Sequence, residues 1–166
     1  MKKIYHTGLL YIFLFLFPLS VKSQIDVEKI YLTVLKSKAI GKRFIFGKWD
    51  EKGGMEYHLT HLGSTKTNNG KIYKIMNLVW LWGLSRRATN RILVFNGKNQ
   101  YVGNYYLTMI TDLPTQLENR KLIFQNISSD CDRKVVSKIS LANGLPKEFF
   151  RKCTRESGDI YSFTNQ

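Results

Sequence analysis

The sequence predicts a mainly β (α+β) protein: an N-terminal helix packed on an antiparallel sheet of about eight short strands, curled or closed into a barrel. Three observations predict it. Only one stretch, residues 25–40, carries a helical period. After it come short aromatic or β-branched runs separated by turn residues, with no helix-length segment between them, which argues against a parallel α/β sheet. Asn96-Gly97, flanked by two such runs, is a strong hairpin signal because it supplies the positive φ angles that a tight turn requires.

Val27, Ile30, Tyr31, Val34 and Leu35 fall on one stripe of the helix, with Lys29, Lys36 and Lys38 off it. Asp26 is suited to the N-cap and Gly41 to the stop. The expected strands are Arg43–Trp49, Met55–Leu62, Ile72–Trp82, Arg91–Phe95, Tyr101–Leu107, Lys121–Gln125, Val135–Leu141 and Ile160–Phe163. Residues 64–70 read as turn chemistry throughout, and Phe149-Phe150 as a helical turn or one more strand.

The chain has 166 residues, 43% of them hydrophobic and 13% aromatic, which is too apolar for a disordered tail and enough for one domain. Residues 1–23 read as a secretory signal: Lys2 and Lys3 ahead of an apolar core over residues 9–17, Pro18 as breaker, and Val21 and Ser23 at the −3 and −1 positions. The core is about half the length a spanning helix needs, no cysteine follows it as a lipid anchor, and cleavage after Ser23 is expected. Residues 24–166 then form a single β-rich domain, periplasmic or secreted. The whole chain carries 26 basic and 12 acidic residues, and loss of Lys2, Lys3 and Lys22 leaves it at +11. A basic exported protein meets anionic glycans, lipid headgroups or acidic proteins rather than nucleic acid, and the body offers no transmembrane segment.

Trp80 and Trp82, two apart on a strand, share a face with Leu78, and Arg86, Arg87 and Arg91 follow. Indoles beside guanidinium groups form a platform for a sugar ring or an anion; the alternative is that both tryptophans belong to the core. These five residues are the candidate ligand-binding set; the alternative is that the arginines are solvated or pair with acidic neighbours such as Asp112 or Glu118. Glu56 and His58 fall on one strand face and His61 on the other, too few ligands for a metal, and none is assigned. Gly-x-Ser-x-Gly and glycine-rich phosphate loops are absent, so no catalytic residue and no cofactor is assigned. Cys131 and Cys153 in an exported chain predict a disulfide, tying the later strands to the Phe149-Phe150 segment. Asn126-Ile127-Ser128 has the form of a glycosylation sequon.

Gly47-Lys48-Trp49 resembles the Gly-x-Trp signature on the first strand of lipocalins, small eight-stranded barrels that hold apolar ligands. Thr111-Asp112 resembles the start of that family's second motif, with Leu113 where its tyrosine would stand. These five residues point to an architecture and do not assign the family. The leading expectation is an exported, basic binding or structural module of the cell envelope. A lipocalin-like carrier of an apolar ligand and a small envelope-polymer hydrolase are the alternatives. An internal cavity would favour the carrier, facing carboxylates about 5–10 Å apart a glycosidase, and a filled interior the binding module.

Overall fold

The computed structural model describes residues 26–165, so the signal segment and its cleavage position lie outside the described residues. Helix α1 spans Val27–Lys36, and ten strands follow: β1 Arg43–Gly47, β2 Glu56–Lys66, β3 Ile72–Trp82, β4 Arg87–Asn96, β5 Tyr101–Leu107, β6 Gln116–Glu118, β7 Lys121–Gln125, β8 Val136–Ser140, β9 Glu148–Lys152 and β10 Gly158–Asn165. They form two antiparallel sheets: seven strands in the order β1-β2-β3-β4-β5-β10-β9, and three in the order β6-β7-β8. The mainly β class and the N-terminal helix stand as expected, but closure into a barrel does not occur among the described residues.

The large sheet is covered on both faces. On one lies α1, whose Ile30, Val34 and Leu35 pack on Tyr57, Leu59, Met76, Leu78, Leu93 and Phe95. On the other lies the small sheet, where Leu122 and Phe124 meet Ile75, Ile92, Val94, Tyr105, Leu107, Phe149 and Tyr161. Strands β3 and β4 are therefore apolar on both sides, which is why they read as continuous β-branched and aromatic runs rather than alternating ones. The helical stripe is buried as its spacing requires, and the Asp26 side chain accepts from the Lys29 amide as N-cap.

Several boundaries differ from the sequence reading. The helix stops at Lys36 rather than running to residue 40, because the Ser37 hydroxyl donates to the Val34 carbonyl and Lys38 takes a positive φ of 55°. Strand β2 runs on to Lys66, so turn residues begin at Thr67 and not at Ser64; pairing of Ser64, Thr65 and Lys66 with β3 overrides their weak local preference. A bulge between His61 and Gly63 leaves Leu62 without a partner on β3, and its side chain enters the inter-sheet core. Strand β4 starts at Arg87, not Arg91, because its first residues pair with Leu81 and Trp82. Phe149-Phe150 lies in a strand, and the short β6 is a strand the sequence did not announce.

Candidate functional site: an aromatic and basic end of the large sheet

The β3–β4 connection, residues 83–86, is a four-residue turn closed by the Arg86 amide donating to the Gly83 carbonyl, with Arg86 at φ 52°. Arg86 therefore projects from the turn, whereas Arg87 and Arg91 lie on β4. Cross-strand register puts Arg87 opposite Trp82, Thr89 opposite Trp80 and Arg91 opposite Leu78, all on the helix-side face. The Arg87 guanidinium sits 5.8 Å from the Trp82 ring centroid. Trp82 and Trp80 are 5.7 Å apart, and Trp80 lies parallel to Tyr57 at 5.8 Å. The result is a ladder of rings, Tyr57, Trp80 and Trp82, ending in a guanidinium.

A second stack stands at the same end. Trp49, in the β1–β2 loop, donates from Nε1 to the Gly83 carbonyl at 2.8 Å, and Arg86 sits 5.3 Å from its ring centroid. The sequence reading assigned Trp49 no part in this set. Its only signal was the Gly47-Lys48-Trp49 tripeptide, and the approach to Gly83 spans 34 residues that no local pattern encodes. Tyr57 was missed for the same reason: its ring reaches Trp80 through register, not sequence proximity.

The structure thus brings Trp80, Trp82, Arg86 and Arg87 to one end of the sheet. Arg91 is on the same face but about 13 Å further along the strand, beside Leu78 and opposite the exposed Tyr106. Trp80 belongs partly to the core, packing against the helix-side cluster, while Trp82 lies beyond it. Buried Nε1 of Trp80 and buried Nε of Arg91 have no hydrogen-bond partner among the described residues.

No carboxylate lies within ion-pair distance of Arg86, Arg87 or Arg91 among the described residues. Asp112 does not neutralise them: it is buried and paired with Arg151, Nη1 to Oδ1 at 3.0 Å. Glu118, on β6, takes a bond from Gln116 instead. Glu56 is near enough for Arg86 to lower its carboxyl, but the larger causes are its hydrogen bonds from His58 and from the Trp49 amide. Glu56 and His58 pair on the face away from α1, and His61 lies on the other, as the alternation predicts. Burial holds the His61 imidazole below its ordinary range. No group of three or more potential metal ligands occurs among the described residues.

The remaining chemistry-bearing residues are structural. Arg151, 1% exposed, forms an ion pair with Asp112 and donates to Asn126 Oδ1 at 2.9 Å and to the Thr111 carbonyl. The Tyr161 hydroxyl donates to Asp112 Oδ2 at 2.8 Å, and burial with that carboxylate pushes the phenol up to about 12. Asn126 is buried, and its amide nitrogen donates to the carbonyls of Asp132, Lys152 and Cys153, so the sequon asparagine has no free amide to carry a glycan. Cys131 and Cys153 are bridged, with Cα atoms 4.6 Å apart.

Compared with protein-family models, with curated proteins and with solved structures, the chain matches none. The two lipocalin-like fragments have local explanations here. Gly47 closes β1 at φ 74°, Trp49 anchors the β3–β4 turn, and Asp112 in the short 3-10 turn Ile110–Asp112 receives Arg151.

Proposed function

We propose that the protein is an exported binding module of the cell envelope that holds an anionic ligand on the Trp49, Trp80, Trp82, Arg86 and Arg87 end of its large sheet, with Arg91 extending the face. The observation that carries this reading is the pair of guanidinium–indole stacks at one end, with no acidic partner within ion-pair distance among the described residues. An arginine held over a ring keeps its fork of donors in a defined plane and available to carboxylate, sulfate or phosphate. The formal surplus of positive charge draws such ligands in, and the fixed forks select among them. Candidates are an acidic glycan, a lipid headgroup or an acidic protein segment.

A filled inter-sheet space, occupied by Leu122, Phe124, Tyr105 and Phe149, supports a binding module over an apolar-ligand carrier. The experiment compares binding to uronic-acid glycans and to phosphatidylglycerol vesicles for the wild type, Arg86→Ala/Arg87→Ala and Lys134→Ala/Lys138→Ala, at matched salt. The arginine pair is expected to cost at least tenfold in affinity and the lysine pair less than threefold. Equal losses from both would mean that net charge alone explains the binding.

A further inference from the structure

At the opposite end of the molecule, about 30 Å along β3 from Trp82, a cleft of about 550 Å³ opens between the large sheet and the β8–β9 loop. Its floor is the upper margin of the inter-sheet core: Tyr73, Val102, Leu145 and Phe163. Gly103 makes this floor possible. A Cβ there would lie 2.3 Å from the Thr164 carbonyl oxygen and 2.7 Å from the Phe163 ring, so only glycine lets β10 and that ring settle against β5. The lip is held rather than loose. The Asn68 amide donates to the Ala142 carbonyl, the Tyr105 hydroxyl to the Pro146 carbonyl, and the Phe163 amide to the Lys147 carbonyl.

The rim is basic and rich in donors. Lys71 and Lys147 have no ion-pair partner among the described residues. Asn143 is set by a relay. Arg120 can only donate, so Asn68 presents its oxygen to Arg120 Nη1 (2.7 Å) and its nitrogen to Asn143 Oδ1 (2.8 Å). The oxygen of Asn143 is thereby used and its NH₂ is left as a donor. The Asn69 side-chain amide is held against the Thr67 hydroxyl, which also contacts the Lys71 carbonyl at 3.1 Å. The rim therefore offers two ammonium groups and the Asn143 NH₂ as donors, with the side-chain amides of Asn69 and Asn165 beside them, above a floor of two aromatic rings.

We infer that this cleft is a second binding site, separate from the tryptophan–arginine end, and that its ligand is an acidic saccharide carrying a uronic carboxylate. The ligand must be rich in acceptors and anionic to satisfy the rim. It must also present an apolar face to Tyr73 and Phe163, which the C–H face of a sugar ring does and a bare phosphate does not. An acyl carboxylate fits less well, since it gives the amide donors one acceptor group and leaves the others dry. The volume falls in the range of small-ligand sites, and the hydrogen-bonded lip means little ordering is needed on binding.

The test titrates the purified protein with a galacturonic acid trisaccharide, with maltotriose as the neutral counterpart and decanoate as the acyl counterpart, followed by amide resonances. The trisaccharide acid is expected to shift Val102 and Gly144 and to bind at least tenfold more tightly than maltotriose. Asn143→Asp, which keeps the acceptor toward Asn68 but replaces the free donor with a charge, should reduce affinity at least tenfold. Lys71→Met/Lys147→Met, on exposed side chains, should do the same if the aspartate variant folds poorly. Arg86→Ala/Arg87→Ala should leave these resonance shifts unchanged, so failure at one end is separable from failure at the other. Equal binding of maltotriose, stronger binding of decanoate, or undiminished binding by the lysine variant would each overturn the assignment.

Discussion

Arg151 and the pair Arg86–Arg87 carry the same side chain in opposite circumstances. Arg151 is enclosed, with Asp112, Asn126 and the Thr111 carbonyl around its guanidinium. Arg86 and Arg87 are exposed and rest on indole faces, with no carboxylate at ion-pair distance among the described residues. A buried charge must be met by fixed partners or the fold bears its desolvation, so Arg151 is committed to the structure. The stacked pair contributes little to the fold and remains available to something outside it. The teaching is that the number of positive residues says nothing about where binding occurs; which of them are exposed and without an ion-pair partner does.

The sharpest way to break this contrast is to remove the enclosed charge. Arg151→Ala is expected to lose about 3–5 kcal/mol in urea unfolding, because Asp112 is left buried and unpaired. Arg151→Met/Asp112→Leu should lose less than the single variant, as no charge is then stranded. Arg86→Ala/Arg87→Ala should lose no more than about 1–2 kcal/mol, since exposed cation–ring contacts are worth about 0.5–1 kcal/mol each. Similar losses for Arg151→Ala and the arginine pair would erase the distinction.

A smaller effect separates the disulfide from the polar cluster beside it. The bridge closes a segment with a sequence separation of 22, for which loop entropy gives about 3 kcal/mol. Cys131→Ser/Cys153→Ser should lower thermal stability by that order. The Asn126 amide, bonded to the Cys153 carbonyl, should still hold the β9 end in place. Loss of near-ultraviolet signal from the folded variant would show that the bridge, not Asn126, positions it.

The smallest effect sits on the helix side. Because burial lowers the His61 imidazole in the folded state, the native protein binds its proton less readily than the unfolded chain does. Stability from this group is therefore complete above the unfolded value of about 6.5 and declines as pH falls through the folded value. His61→Leu should flatten the fall in melting temperature between about pH 7 and pH 5. Glu56, whose lowered carboxyl acts at more acidic pH, does not supply a slope in that window. An unchanged slope in the variant would place the titration elsewhere.

Much of the fold was legible because it rests on short-range pattern. The i, i+3, i+4 stripe of α1, the Asn96-Gly97 turn and the runs at β3, β5 and β7 needed no tertiary knowledge. The extension of β2 to Lys66 was not legible, because Ser64 and Thr65 are strand residues only by virtue of their partners on β3. Nor was the partition into two sheets, which depends on β10 returning to β5. At the candidate site, the shared face of Trp80 and Trp82 followed from a spacing of two, while Trp49 arrived through a side-chain bond across 34 residues. Arg151 gave no signal. In Phe149-Phe150-Arg151-Lys152 only the alternation with Phe149 hints that it points inward, and an arginine at such a position reads as surface.

The strand order also sets a timetable. Strands β1 to β5 each pair with the next in sequence, so the first half of the chain assembles through short closures. Strand β5 must then wait for β10, whose Phe163 meets Tyr105 across 58 residues. The Arg151–Asp112 pair and the Cys131–Cys153 bridge likewise await the late strand β9 and the residue that follows it. A chain emerging amino end first would therefore hold its helix-side core before its thiols meet. Pulsed hydrogen exchange during refolding should protect β2 to β4 ahead of β9 and β10; simultaneous protection of all strands would contradict this order.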